Sequence, residues 1–240
     1  MSYRILIDLS HGQQIEFPEF TLGEEHYELE YIDKNEGPID FDKFEETDIL
    51  FLGNIQHTKN DKKDKFTPDE LQAIKRFVGE GGGLLLTSGS GGDANIPLKD
   101  GSIRVLYKIT GVRRFWEGTI QESGSNFLVS KENVLVTELF SHPITEGISE
   151  VVLPNCTFFT LTEEVEDLIN TSEKAEFLYS NNDKGSIGPV PICAVSKFYE
   201  GRCVTLGSSD IFLEDNDFGL DAGDNIKFIE NVIKWLTFEL

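Results

Sequence analysis

The sequence predicts an α/β fold built on a mainly parallel sheet, and three observations carry that prediction. Short apolar runs end in turns rich in Gly, Ser or Asn, the pattern of strands buried on both faces. A strongly capped helix lies between two of those runs. A glycine cluster then turns that helix sharply into the next run.

The runs are Arg4 to Leu9, Asp48 to Gly53 and Leu84 to Ser88, and each delivers polar residues to one edge of the sheet. Between the second and third, Phe66-Thr67-Pro68-Asp69-Glu70-Leu71 opens a helix. Thr67 is the N-cap, Pro68 fits the first helical position, Glu70 closes a capping box, and Phe66 and Leu71 form a hydrophobic staple. Ile74, Phe77 and Val78 continue the apolar face until Gly79, Gly81, Gly82 and Gly83 end it. Strand, helix and strand make one crossover, right-handed in a parallel sheet. In the middle, residues 103–188, a helix is expected near Arg104 to Thr110 among short strands and polar turns such as Asn181-Asn182-Asp183-Lys184-Gly185. Ile192 to Tyr199 and Arg202 to Leu206, joined at Glu200-Gly201, suit an antiparallel hairpin. The last helix, about Asp221 to Leu236, carries a stripe of Ile226, Ile229, Val232, Ile233 and Leu236, with Asp221 or Asp224 able to cap it. At 240 residues the expectation is one domain, 1–240, with an elaborated middle.

Composition narrows the function classes. The chain holds 43 Asp and Glu against 21 Lys and Arg, a formal charge of −22 that repels nucleic-acid phosphates and anionic lipid. The acids are spread from Glu24 and Glu25 through Glu163, Glu164 and Glu166 to Asp215 and Asp217, which describes a solvated surface. Cys156, Cys193 and Cys203 have no CxxC spacing and read as small core residues in a reduced compartment. The apolar start is too short for a signal peptide, and no stretch of about 18 apolar residues exists to span a bilayer. The expectation is a cytoplasmic protein without membrane insertion or nucleic-acid binding.

Three segments carry a family resemblance. They are Gly81-Gly82-Gly83-Leu84-Leu85-Leu86-Thr87-Ser88-Gly89-Ser90-Gly91-Gly92-Asp93, then His142-Pro143-Ile144-Thr145-Glu146-Gly147-Ile148, then Gly201-Arg202-Cys203-Val204-Thr205-Leu206-Gly207-Ser208-Ser209-Asp210-Ile211-Phe212. In order and spacing the chain resembles class I glutamine amidotransferase-like domains, and within them the GIFT domain. That domain occurs in an intraflagellar-transport B-complex scaffold subunit and in accessory proteins of gliding-motility ABC transporters. The resemblance implies a flavodoxin-like, doubly wound fold with helices on both faces of the sheet, and a role in protein assembly.

The residues themselves depart from amidotransferase chemistry, which needs a cysteine on the turn after a central strand and a histidine and carboxylate after a late one. After Leu84 to Thr87 stands Ser88-Gly89-Ser90-Gly91-Gly92, and after Gly207 stands Ser208-Ser209-Asp210 with no histidine downstream. The Cys-His-Glu set is therefore missing, and no catalytic residue is assigned. A serine hydrolase using Ser88 or Ser90 would need His11, His26, His57 or His142 as base, and neither serine fits G-x-S-x-G. The strand-end edge collects Ser10, His11, Asn54, His57, Ser90, Asp93, Ser209 and Asp210, a candidate site for a small polar ligand such as a sugar. His11, His57, Asp93 and Asp210 come from separate loops without a metal-ligand motif, and the Gly-rich turn lacks a P-loop ending, so neither metal nor cofactor is expected. Arg113-Arg114-Phe115-Trp116 is read as a packed strand end rather than a stacking platform for bases. The leading expectation is a non-catalytic module that binds another protein, with a small-ligand receptor second and a serine hydrolase third.

Overall fold

The computed structural model describes residues 2–13, 15, 17, 26–33, 36, 38–55, 66–95, 102–214 and 217–240. In chain order its elements are β1 (Ser2–Asp8), β2 (His26–Ile32), β3 (Ile49–Gly53), α1 (Pro68–Gly79), β4 (Gly83–Thr87) and α2 (Ser102–Thr110). There follow β5 (Val112–Phe115), β6 (Gly118–Gln121), β7 (Asn133–Val136), β8 (Val151–Pro154), β9 (Phe159–Leu161) and β10 (Glu166–Asn170). The chain closes with β11 (Glu176–Tyr179), β12 (Lys184–Ser186), β13 (Pro191–Phe198), β14 (Gly201–Leu206) and α3 (Asn225–Leu236).

Among the described residues seven strands form one sheet in the order β10-β13-β14-β4-β3-β1-β2. The pairs from β14 through β4, β3 and β1 to β2 are parallel, while β13 runs antiparallel to β14 and to β10. The molecule is thus a mixed α/β structure around a mainly parallel sheet. The middle of the chain adds three small antiparallel sheets, β12-β11-β6, β5-β9 and β7-β8.

Alternation along the strands divides the core in two, because successive side chains leave opposite faces of a strand. Ile5, Ile7, Ile49, Phe51, Leu85 and Val204 join Phe228, Ile229, Val232 and Ile233 of α3. Leu6, Leu50, Leu52, Leu84, Leu86 and Cys203 join Ile74, Phe77 and Val78 of α1 and Leu106 and Ile109 of α2. All three cysteines are buried and free, and Cys203 has its thiol pushed up to about 12 by burial.

The capping box on α1 is formed as its sequence predicts: Thr67 Oγ1 accepts from Glu70 N at 3.3 Å and Glu70 Oε2 accepts from Thr67 N at 2.6 Å. The start of α3 differs from expectation. Asp224 holds the N-cap position without capping, because its carboxylate accepts from Ser149 N at 2.7 Å and Glu150 N at 3.3 Å instead. Ile226 is 40% exposed, and Asn225, Phe228 and Trp235 take the buried positions beside the expected isoleucines.

Candidate functional site

Among the described residues, the C-terminal edge of the parallel strands holds three separate polar groups. At the end of β1, Asp8 is fully buried and accepts from four donors. Ser10 N (2.9 Å) and Ser10 Oγ (2.6 Å) reach Oδ1, while Gln13 Nε2 (2.6 Å) and His11 Nδ1 (2.6 Å) reach Oδ2. The other imidazole nitrogen, His11 Nε2, lies 3.3 Å from Glu70 Oε1, and the ring stacks on Phe66 at 3.7 Å between centroids. His11 is 2% exposed and Glu70 3%. Burial alone would lower the His11 pKa, but hydrogen bonds to Asp8 and Glu70 and their charges outweigh it and hold it at about 9. Burial would raise Glu70, and the bonds from His11, Thr67 N and Ile39 N reverse this to about 2. At neutral pH the imidazole is therefore a cation clamped between carboxylates. An imidazolium with both N–H groups engaged has no lone pair with which to take a proton.

The second group sits where β4 and β14 end. Ser209 Oγ donates to Ser88 O at 3.1 Å and lies 2.8 Å from Thr87 Oγ1, while Asp210 Oδ2 accepts from Asn155 Nδ2 at 2.7 Å. Backbone proximity explains two glycines of the sequence motif. A Cβ on Gly207 would overlap Thr157 O, and one on Gly201 would overlap Val78 O, so each glycine permits a close crossing of chains.

The third group belongs to the Gly-rich turn after β4. Ser90 is exposed and hydrogen-bonded to Thr119 Oγ1 on β6. Asp93 is 8% exposed; its Oδ2 accepts from Phe115 N at 3.1 Å, and its Oδ1 is buried without a partner among the described residues. Burial, opposed by that N–H and by the charge of Arg114, raises the Asp93 carboxyl to about 7. Asn54 follows β3 in a left-handed conformation, φ 45°, and its N–H donates to Thr87 O at 3.0 Å. His57 lies outside the described residues.

The structure thus brings Ser10 together with His11, and Ser209 close to Asp210, but ties Ser90 and Asp93 to the β5–β6 region. His142 caps a short helical turn, accepting from Ile144 N at 3.1 Å, and its ring meets Trp235 edge-on. Trp116 stacks on Phe158, its Nε1 donates to Thr160 Oγ1 at 3.1 Å, and the Arg114 guanidinium lies 4.8 Å from its ring centre. Sequence reasoning named His11 but missed Asp8, Gln13 and Glu70 as its partners. The spacing of Asp8 and His11 across a strand-end turn was the available signal, whereas Glu70 is 59 residues away and looked fully occupied as a helix cap.

No family model matches the sequence, nor does any curated protein sequence. Solved structures do match. The mmIFT52 N-terminal domain is similar with a TM-score of 0.72 at 17% identity, covering 97% of each chain. A cytoplasmic protein of Salmonella typhimurium LT2, STM1381, gives a TM-score of 0.59 at 17% identity over 98% of this chain and 99% of that one. A ThuA-like protein from Bacteroides uniformis gives 0.55 at 16% identity over 98% and 91%. These likenesses are of fold, and they agree with the amidotransferase-like, GIFT-like resemblance of the three sequence segments.

Proposed function

We propose that residues 1–240 are a single non-catalytic amidotransferase-like domain that serves as a protein-binding or assembly module. The observation that carries this reading is His11, the described histidine at the strand-end edge, held as a buried cation between Asp8 and Glu70. Among the described residues no base is left there for Ser88 or Ser90, and the three cysteines are buried with raised thiol pKa values. The fold likeness to mmIFT52 supports assembly over chemistry, as the family resemblance implies. The architecture proposed is doubly wound and flavodoxin-like: the five parallel strands lie in the order 2-1-3-4-5 by their place in the chain, and α1 and α3 serve opposite core clusters. The antiparallel pair β13–β14 is the C-terminal hairpin of that plan. A cytoplasmic setting, without nucleic-acid partners, belongs to the same reading.

Two assays test it. Purified protein incubated with glutamine and with short-chain p-nitrophenyl esters is expected to give no turnover above buffer. Turnover lost on Ser90→Ala or on His57→Ala would overturn the reading in favour of a hydrolase. Affinity purification followed by reconstitution with the recovered partner is expected to yield a stoichiometric complex, and a chain that stays alone would count against an assembly role.

A second reading, a receptor for a small polar ligand at Ser10, His11, Asn54, His57, Ser90, Asp93, Ser209 and Asp210, is favoured by one observation. Among the described residues the buried Asp93 Oδ1 lacks the hydrogen bond that such an atom ordinarily finds. A thermal-shift screen of sugars and polar metabolites tests it, since a ligand at about 100 times its Kd adds roughly 2.7 kcal/mol. A shift that survives both Asp93→Ala and Asp210→Ala would remove the proposed site.

A further inference from the structure

We infer that a groove between β7, β10 and the segment 137–148 is the docking surface of the module, and that it takes a lysine- or arginine-bearing segment of a partner protein. The inference rests on the assembly reading and specifies where it happens. Two adjoining hollows, each of about 580 Å³, share Thr137, Leu139 and Phe140. The first continues to Leu135, Asn170 and Pro189, and the second to His142, Pro143 and Ile148. The floor is held from below. Phe140 N donates to Leu168 O at 3.1 Å, Leu139 bridges to Ile169, and Leu168 and Ile169 are fully buried.

Three features point to the occupant. Phe140 is 49% exposed at the junction of the two hollows, where a docked apolar side chain would cover it. The carboxylates of Glu138 and Glu173 border the first hollow and that of Glu146 the second, all exposed, against the ammonium of Lys174 and that of Lys227, which donates to Gly147 O at 2.7 Å. On a chain of net charge −22 this rim selects for basic groups and repels acidic ones. Asn170, which lines the first hollow, gives its Nδ2 to Asp167 at 2.8 Å, and its buried Oδ1 has no donor among the described residues, an acceptor that rotation of the amide would turn to an incoming N–H. An apolar anchor flanked by acceptors and carboxylates fits alternating basic and apolar side chains better than a nucleic acid, whose phosphates the rim repels.

The probe is a fluorescent eight-residue peptide of alternating lysine and valine, with its glutamate–valine counterpart as control. Saturable binding of the lysine peptide alone is expected. It should weaken at least tenfold in Phe140→Ser and in the double variant Glu138→Lys, Glu173→Lys, and stay unchanged in Glu214→Lys, a charge reversal at an exposed site away from the groove. Thermal melting of each variant checks that these surface substitutions leave the fold intact, and the bound peptide should slow amide exchange in residues 137–140 and 170–174. Equal binding by Phe140→Ser, an equal loss in Glu214→Lys, or protection elsewhere would overturn the groove while leaving a protein-binding module standing. Absence of saturable binding would also overturn it. If, in addition, affinity purification recovers no partner, the assembly reading falls with it.

Discussion

His11 shows how one side chain can look reactive in sequence and be structural in space. Its imidazolium neutralises two carboxylates that the fold has taken out of water, and removing one partner from such a buried set costs about 3–5 kcal/mol. His11→Leu is therefore expected to lower unfolding free energy by about 3 kcal/mol, read by urea denaturation near pH 6. The pH dependence follows from three shifted groups. With its pKa raised from 6.5 to about 9, His11 contributes stability that is fully present below pH 6.5 and is lost as pH rises toward 9. With its pKa lowered from 4.5 to about 2, Glu70 contributes stability present above pH 4.5 and lost as pH falls toward 2. Asp93, its carboxyl raised from 3.8 to about 7, adds a contribution that is present below pH 3.8 and lost as pH rises toward 7. The urea midpoint should be highest near pH 4 and decline toward pH 9.5, the part of the decline above pH 7 being that of His11. The alkaline decline should be absent from His11→Leu; a variant that declines equally would show that His11 does not titrate with folding.

At the scale of elements, α3 is tied to the small β7–β8 sheet by one amide. Asn225 is fully buried; its Oδ1 accepts from Val152 N at 2.9 Å, and its Nδ2 donates to Val152 O at 2.8 Å and to Gly219 O at 2.7 Å. Asn225→Ala would strand three backbone groups, each costing about 1–3 kcal/mol when left buried and unpaired. A loss of at least about 2 kcal/mol is expected in chemical denaturation, whereas Asn231→Ala, at a half-buried site, should cost less than half as much. The same elements show what sequence could convey. Local signals were complete for α1, whose cap, staple and glycine stop all lie within residues 66–83, and for the strands around the Gly-rich turn. β2 went unread although His26 to Ile32 alternates as an edge strand should, because Glu28 and Glu30 dilute its apolar content. The start of α3 and the order of the middle strands depend on partners 70 or more residues away, such as Asn225 with Val152, which no local window contains. For the same reason the candidate site residues were recognisable as polar strand ends, but their division into three groups was not.

Over the whole molecule, 43 acids stand against 21 bases, and the excess negative charge opposes compaction. Raising NaCl from 0.05 to 0.5 M shortens the Debye length to a few ångströms and should stabilise the fold. A gain of about 1 kcal/mol would raise Tm by roughly 2–4 °C in a chain of this size. A Tm that falls with salt would mean that the attractive pairs, such as Arg4 with Glu28 and Glu46, outweigh the repulsion. The Glu70 carboxylate bears on a different global property. It receives the Ile39 N–H at 3.0 Å, the Thr67 N–H at 2.6 Å and the His11 imidazolium, so one anion rivets three stretches of chain separated by tens of residues. Stretches fastened to a single point come loose together. The Ile39 amide should therefore exchange with deuterium at the rate of the whole rivet, slow in the native protein and far faster in His11→Leu, although residue 39 is itself buried.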